Sequence, residues 1–211
     1  LMFFLDVKFI TPVFLLFDLT SGVILVASNY RSIHRRLFLL LLCGLLVGTA
    51  IGTWVLLSFG HDLLKRVLGL LVTGWSLLVL LRKERPVNPT THDRMMPYLA
   101  PLSGFLGGAL GAMFSVNGPP IIIYLSHVLE EKQVFRATLY SIFFADACYK
   151  MVLFTANGLL TGEVVRFALL MAPFLVAGIF AGSRLQARID EALFRKIVAV
   201  ILMVTGVMLV V

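Results

Sequence analysis

Asp146 and Lys150 stand four residues apart inside SIFFADACYKMVLF, a stretch otherwise apolar enough for a lipid bilayer. On a helix that spacing puts both side chains on one face, within reach of each other. Charges at such depth either mark an ion pathway or neutralise one another. The pair is therefore read in two ways, as a structural ion pair or as part of anion or proton coupling. A second aspartate, Asp18 in FLLFDLTSG, has no basic residue at helical spacing; with Asp146 it is a candidate for ion coupling, and the better candidate for a proton relay. Donors suited to a small anion come from residues 99–125, LAPLSGFLGGALGAMFSVNGPPIIIYL. Pro119 and Pro120 remove two backbone donors and Asn117-Gly118 favours a turn, so a helix running through here is expected to break at about mid-membrane. Backbone broken at that depth must face protein or water. In secondary transporters, substrates and coupling ions are held at such breaks. Ser115, Asn117, Gly118, Pro119, Pro120 and Ile121, joined by Lys150, form the candidate substrate-binding set: hydroxyl and amide donors, and the free amides expected near Ile121 at the positive end of a half-helix. The plainer role for Asn117 is to cap a kinked helix.

These residues need elements to position them. Apolar stretches of bilayer-spanning length, which takes roughly 20 residues, fall at 10–27, 37–59, 63–81, 134–156, 164–183 and 193–211. The long polar stretch RKERPVNPTTHDRMMP divides the chain into a first repeat at 1–81, a basic cytoplasmic linker at 82–97 and a second repeat at 98–211. The halves correspond. Asp18 and Asp146 each follow aromatic residues midway along the first full span of their half, Gly48 and Gly52 match Gly178 and Gly182, and Lys65-Arg66 matches Arg195-Lys196. Gly44, Gly48 and Gly52 recur every four residues, as do Gly178 and Gly182, while Gly104, Gly107, Gly108 and Gly111 crowd the broken segment. Small residues at this spacing let helices approach closely, so helix packing is the expected role of these glycines.

Charge placement orients the spans. Arg31, Arg35 and Arg36, then Arg82, Lys83 and Arg85, flank connections of the first half; in the second half the basic residues move to Lys132, Arg136, Arg184, Arg188, Arg195 and Lys196, and the connection NGLLTGE has none. By the positive-inside rule, corresponding loops then lie on opposite sides of the membrane. That pattern describes an inverted repeat in which each half has three transmembrane helices plus a broken or re-entrant Gly/Pro segment. Lys8 and Lys65-Arg66 fall on the wrong side of this scheme.

With 60% hydrophobic and 14% charged residues, and a mean hydropathy of +0.99, the chain has too little polar surface to cover a soluble globule. It is an all-α integral membrane protein. The net charge of +7 belongs to loops between apolar runs, so orientation rather than nucleic-acid binding explains it. Cys43 and Cys148 lie in apolar runs without disulfide or zinc spacing, and none of His34, His61, His92 and His127 has metal-ligand spacing, so no metal or cofactor is expected.

The segment GFLGGALGAMFSVNGPP, followed by an acidic loop and an apolar span, resembles the second-repeat signature of the sulfite exporter TauE/SafE family of permeases, and the first half is similar to the same family's corresponding region. The resemblance covers nearly all of residues 1–211. It implies a multi-pass transporter of the bacterial inner membrane, carrying sulfite, sulfonates, thiosulfate or related organosulfur anions by alternating access, with H+ or Na+ as coupling ion and oligomers allowed. The family usually opens with a first copy of the Gly-rich, Pro-ending motif, which is not found here after Leu1; the resemblance thus implies a chain short by about one membrane segment, with half of a two-fold site missing. Two rival classes remain, an integral membrane enzyme and a non-transporting membrane assembly protein. Against the enzyme, and against any catalytic residue, no Gly-x-Ser-x-Gly elbow or His-Glu-x-x-His helix is present. The assembly protein leaves Asp18, Asp146 and Lys150 unexplained.

Overall fold

The computed structural model describes residues 6–29, 32–60, 63–64, 66–70, 73–74 and 96–186. The third and sixth expected spans, most of the 82–97 linker, Lys65 and the surroundings of Gly182 lie largely or wholly outside that set. The helices are α1 (Val7–Asn29), α2 (Arg35–Ser58), α3 (Met96–Phe114), α4 (Gly118–Val128), α5 (Lys132–Ala156) and α6 (Gly162–Gln186), with further helical residues between 63 and 74. No strand occurs among the described residues. Three stretches, Val7–Ala27, Arg35–Ser58 and Lys132–Ala156, are long and apolar enough to cross a bilayer. Trp54, Val152, Leu169 and Phe174 are more than half exposed, an outward apolar surface that water would penalise and lipid accepts. Described helix α3 already includes Met96 and Pro97, the last two residues of the stretch read as linker.

The closest packing joins α2 to α3. A methyl group placed on Gly44 would strike the Pro101 carbonyl, one on Gly48 the Phe105 carbonyl, and one on Gly52 would come 2.5 Å from the Ala109 carbonyl. Gly104 and Gly108 of α3 meet the Leu41 and Leu45 carbonyls in return. The two backbones therefore touch along an interlocked ridge of glycines, which any side chain would wedge apart. The other glycines of α3 face elsewhere: Gly107 meets Ile121 and Gly111 meets Asn117. No described residue lies within 4 Å of a methyl group placed at Gly178.

The same contacts fix the directions of the helices. The order 44/101, 48/105, 52/109 makes α2 and α3 parallel, so both begin at one end of the bundle, the proximal end. The order 107/121, 111/117 turns α4 back along α3 as a hairpin. Leu37, Ala100, Leu125 and Leu139 share the proximal apolar cluster, while Val7, Leu56, Phe114 and Phe154 share the distal one. Helices α1 and α6 thus run from distal to proximal, whereas α2, α3 and α5 run from proximal to distal. Arg35, Arg36, Lys132, Arg136 and Arg184 consequently gather proximally, and the 157–161 connection lies distally. Lys8 sits at the distal end, where its Nζ donates to the Leu57 carbonyl at 2.9 Å, a cation against the negative end of α2. Arg66, between Leu64 and Leu68 of the distal cluster, and Arg166, near the start of α6, lie at that end too.

The break differs from expectation in position. Helix α3 stops at Phe114 and α4 starts at Gly118, so residues 115–117 form the turn, and Pro119 and Pro120 open the next helix instead of ending the last. Proline's fixed φ and missing amide suit a first turn, where no intrahelical acceptor exists. Asn117 in the turn reaches Asp146, midway along α5, and α4 runs from there into the proximal cluster through Leu125.

Candidate functional site

The turn before α4 meets the middle of α5. Asp146 and Lys150 are 0% and 1% exposed, with Nζ 2.8 Å from Oδ2. Thr49 Oγ1, from the middle of α2, donates to Asp146 Oδ1 at 2.7 Å, and Asn117 Nδ2 donates to Oδ2 at 3.1 Å. Lys150 Nζ also donates to the Gly111 carbonyl at 3.5 Å. Helices α2 and α3 and the turn thus converge on one carboxylate and one ammonium of α5. Burying either charge alone would cost several kcal/mol, so each is held by the other and by neutral donors or acceptors.

Local backbone makes this convergence possible. Ser115 adopts φ 57°, a left-handed conformation, and its amide donates to the Gly111 carbonyl at 3.0 Å, closing α3 with an αL cap. The chain then reverses tightly enough to set Asn117 against Gly111. A methyl group at residue 111 would lie 2.8 Å from Asn117 Cβ and 3.2 Å from Asp146 Oδ2, so only glycine leaves room for the network.

Of the residues expected at the site, Asn117, Asp146 and Lys150 come together. Asn117 holds the N-cap position of α4, yet its side chain makes no capping bond and turns to Asp146 instead. The Ser115 hydroxyl points to the Thr11 carbonyl at 3.5 Å, towards α1. Ile121 is wholly buried against Gly107, and in a helix starting at Gly118 its amide is the first to have an intrahelical acceptor, Asn117 C=O. The free amides expected near Ile121 accordingly shift to Asn117 and Gly118, because prolines occupy the two positions between. Neither amide donates to a backbone carbonyl outside the helices among the described residues. Asp18 is half-buried on α1, within electrostatic range of both Lys150 and Asp146, and its carboxylate has no hydrogen bond or ion pair among the described residues. Thr49 lies outside the set that sequence reasoning reaches. Its signal is faint, a hydroxyl beside Gly48 on the small-residue face of an apolar helix. No cluster of three or more metal-ligating side chains occurs among the described residues.

Residues 1–209 match the sequence model of the family described as sulfite exporter TauE/SafE. The chain belongs to the TauE/SafE family. A curated relative of this TauE/SafE chain, the "Probable inner membrane transporter protein TsaS" of Comamonas testosteroni, is 27% identical over 199 residues, covering 92% of this chain and 80% of the relative. No solved structure matches. The chain is a membrane transporter, and the enzyme reading falls away with that membership.

Proposed function

We propose that this TauE/SafE protein moves small anions of the sulfite, sulfonate or related organosulfur class across the bacterial inner membrane, by alternating access around the start of α4. The observation that carries the reading is the meeting, inside the bundle, of a helix N-terminus with a buried ammonium: the amides of Asn117 and Gly118, the second hydrogen on Asn117 Nδ2 and the charge of Lys150 converge there. An oxyanion losing its water needs such donors, and the positive end of α4 favours negative charge. Asp146 cancels part of the Lys150 charge, which keeps the site from holding an anion too tightly to release it.

The directions of the helices support an inverted-repeat mechanism. Helices α1 and α5, which carry the corresponding aspartates, run oppositely, as do α2 and α6 with their corresponding glycine pairs. In such a pair of halves, one rocks against the other about a central site. The parallel glycine ridge between α2 and α3 joins the halves through direct backbone contact. Of the two aspartates read as ion-coupling candidates, coupling to H+ or Na+ falls to Asp18, because Asp146 is ion-paired to Lys150. The test is uptake of radiolabelled sulfite into proteoliposomes holding the purified chain. Saturable uptake, competed by unlabelled sulfite or taurine, is expected; uptake no faster than in protein-free vesicles overturns the proposal.

A further inference from the structure

The break has two ends of opposite polarity, and only one of them is open. The C-terminal end of α3 presents carbonyls that lack intrahelical donors, with the negative end of its dipole. Beside it lies the buried carboxylate of Asp146. A half-helix C-terminus, unwound carbonyls and a carboxylate are the elements from which transporters build cation sites. Here a cation is already in place: Lys150 Nζ lies 2.8 Å from Asp146 Oδ2 and 3.5 Å from the Gly111 carbonyl, in a side chain 1% exposed. Thr49 and Asn117 take further acceptor positions of Asp146, each as a donor, so both oxygens of this carboxylate are engaged.

We infer that the Lys150 ammonium is a tethered cation filling the place a coupling Na+ would take, and that the protein binds no Na+ at the α3 terminus. The inference rests on reading the break as the transport site, and it has a chemical consequence for that reading. A tethered ammonium cannot leave the site as Na+ would, so while protonated Lys150 forms with Asp146 a neutral unit that carries no metal ion across the membrane. The exchangeable charge in electrostatic range of this unit is then Asp18 on α1, which has no side-chain partner among the described residues. The groups touching the pair are Thr49 from α2, the Gly111 carbonyl from α3 and Asn117 ahead of α4, with Asp18 from α1 at longer electrostatic range.

Thermal unfolding of the purified chain in detergent, in NaCl against choline chloride at equal ionic strength, tests this without any substrate. The wild type is expected to melt at the same temperature in both salts. Lys150→Ala removes the tether and leaves an acidic, oxygen-lined hollow, so its melting temperature is expected to rise by several degrees in NaCl relative to choline chloride; Asp146→Asn/Lys150→Ala, which removes the carboxylate too, should lose that response. A Na+-specific rise in the wild type that Asp146→Asn abolishes overturns the inference, as does a folded Lys150→Ala indifferent to Na+. Should Lys150→Ala not fold, the wild-type comparison still decides. Absence of sulfite flux would count against the proposed transport and leave this result standing, so the two failures are separable.

Discussion

Asp18 and Asp146 lie on helices that run in opposite directions, and their surroundings differ in kind. Asp146 is wholly buried and receives an ammonium from its own helix, a hydroxyl from α2 and an amide from the turn before α4. Asp18 is half-buried and meets no such partner among the described residues. A carboxylate saturated with donors is a fixed part of the structure; one left open can gain and lose a proton or a ligand during a cycle. On the proposed mechanism, Asp146 holds the break in shape and Asp18 remains available for exchange.

Substitutions can break this contrast. Asp146→Asn strands the Lys150 ammonium in a dry site, and its expected cost is about 3–5 kcal/mol, read as a large fall in melting temperature in detergent. Adding Lys150→Met to it should recover most of that loss, because the pair leaves together; a double variant no better than the single one would deny that the two charges compensate each other. Thr49→Val removes a hydroxyl from the carboxylate at nearly constant volume and should cost roughly 1.5–3 kcal/mol. Gly111→Ala forces a methyl group between Asn117 and Asp146, for roughly 1–3 kcal/mol; an unchanged melting temperature would show that the turn can yield. Asp18→Asn is expected to be the mildest, within about 0.5 kcal/mol, while abolishing gradient-driven accumulation of labelled sulfite and sparing exchange at equilibrium. A large stability loss in Asp18→Asn would erase the contrast between the two aspartates.

Some of this is visible in the sequence for physical reasons. Asp146 and Lys150 declare themselves because an i, i+4 charge pair in an apolar helix must either neutralise itself or serve a pathway. The turn is announced by Asn117-Gly118 and the prolines, but it falls a few residues before the expected break: proline is as good at opening a helix as at ending one, and the residue that bends the chain, Ser115, carries no special sign of a left-handed φ. The glycine repeats of α2 and α3 are legible as small faces, whereas their mutual engagement, in register and in parallel, depends on how two distant segments meet. Thr49 is illegible for the same reason, since its function is defined by a partner 97 residues away. The contact of Lys8, odd by the charge pattern, with the Leu57 carbonyl likewise depends on how distant segments meet.

The central claim is that the start of α4 binds the transported anion, and Asn117 is the side chain that tests it most directly. Uptake of labelled sulfite into proteoliposomes should be compared across concentrations for the wild type and Asn117→Ala, each first shown to be folded. The expected result is saturable uptake in the wild type and a half-saturating concentration about tenfold higher in the variant, the effect of losing roughly 1.4 kcal/mol of binding. Saturable uptake with the same half-saturating concentration in both proteins would contradict the claim.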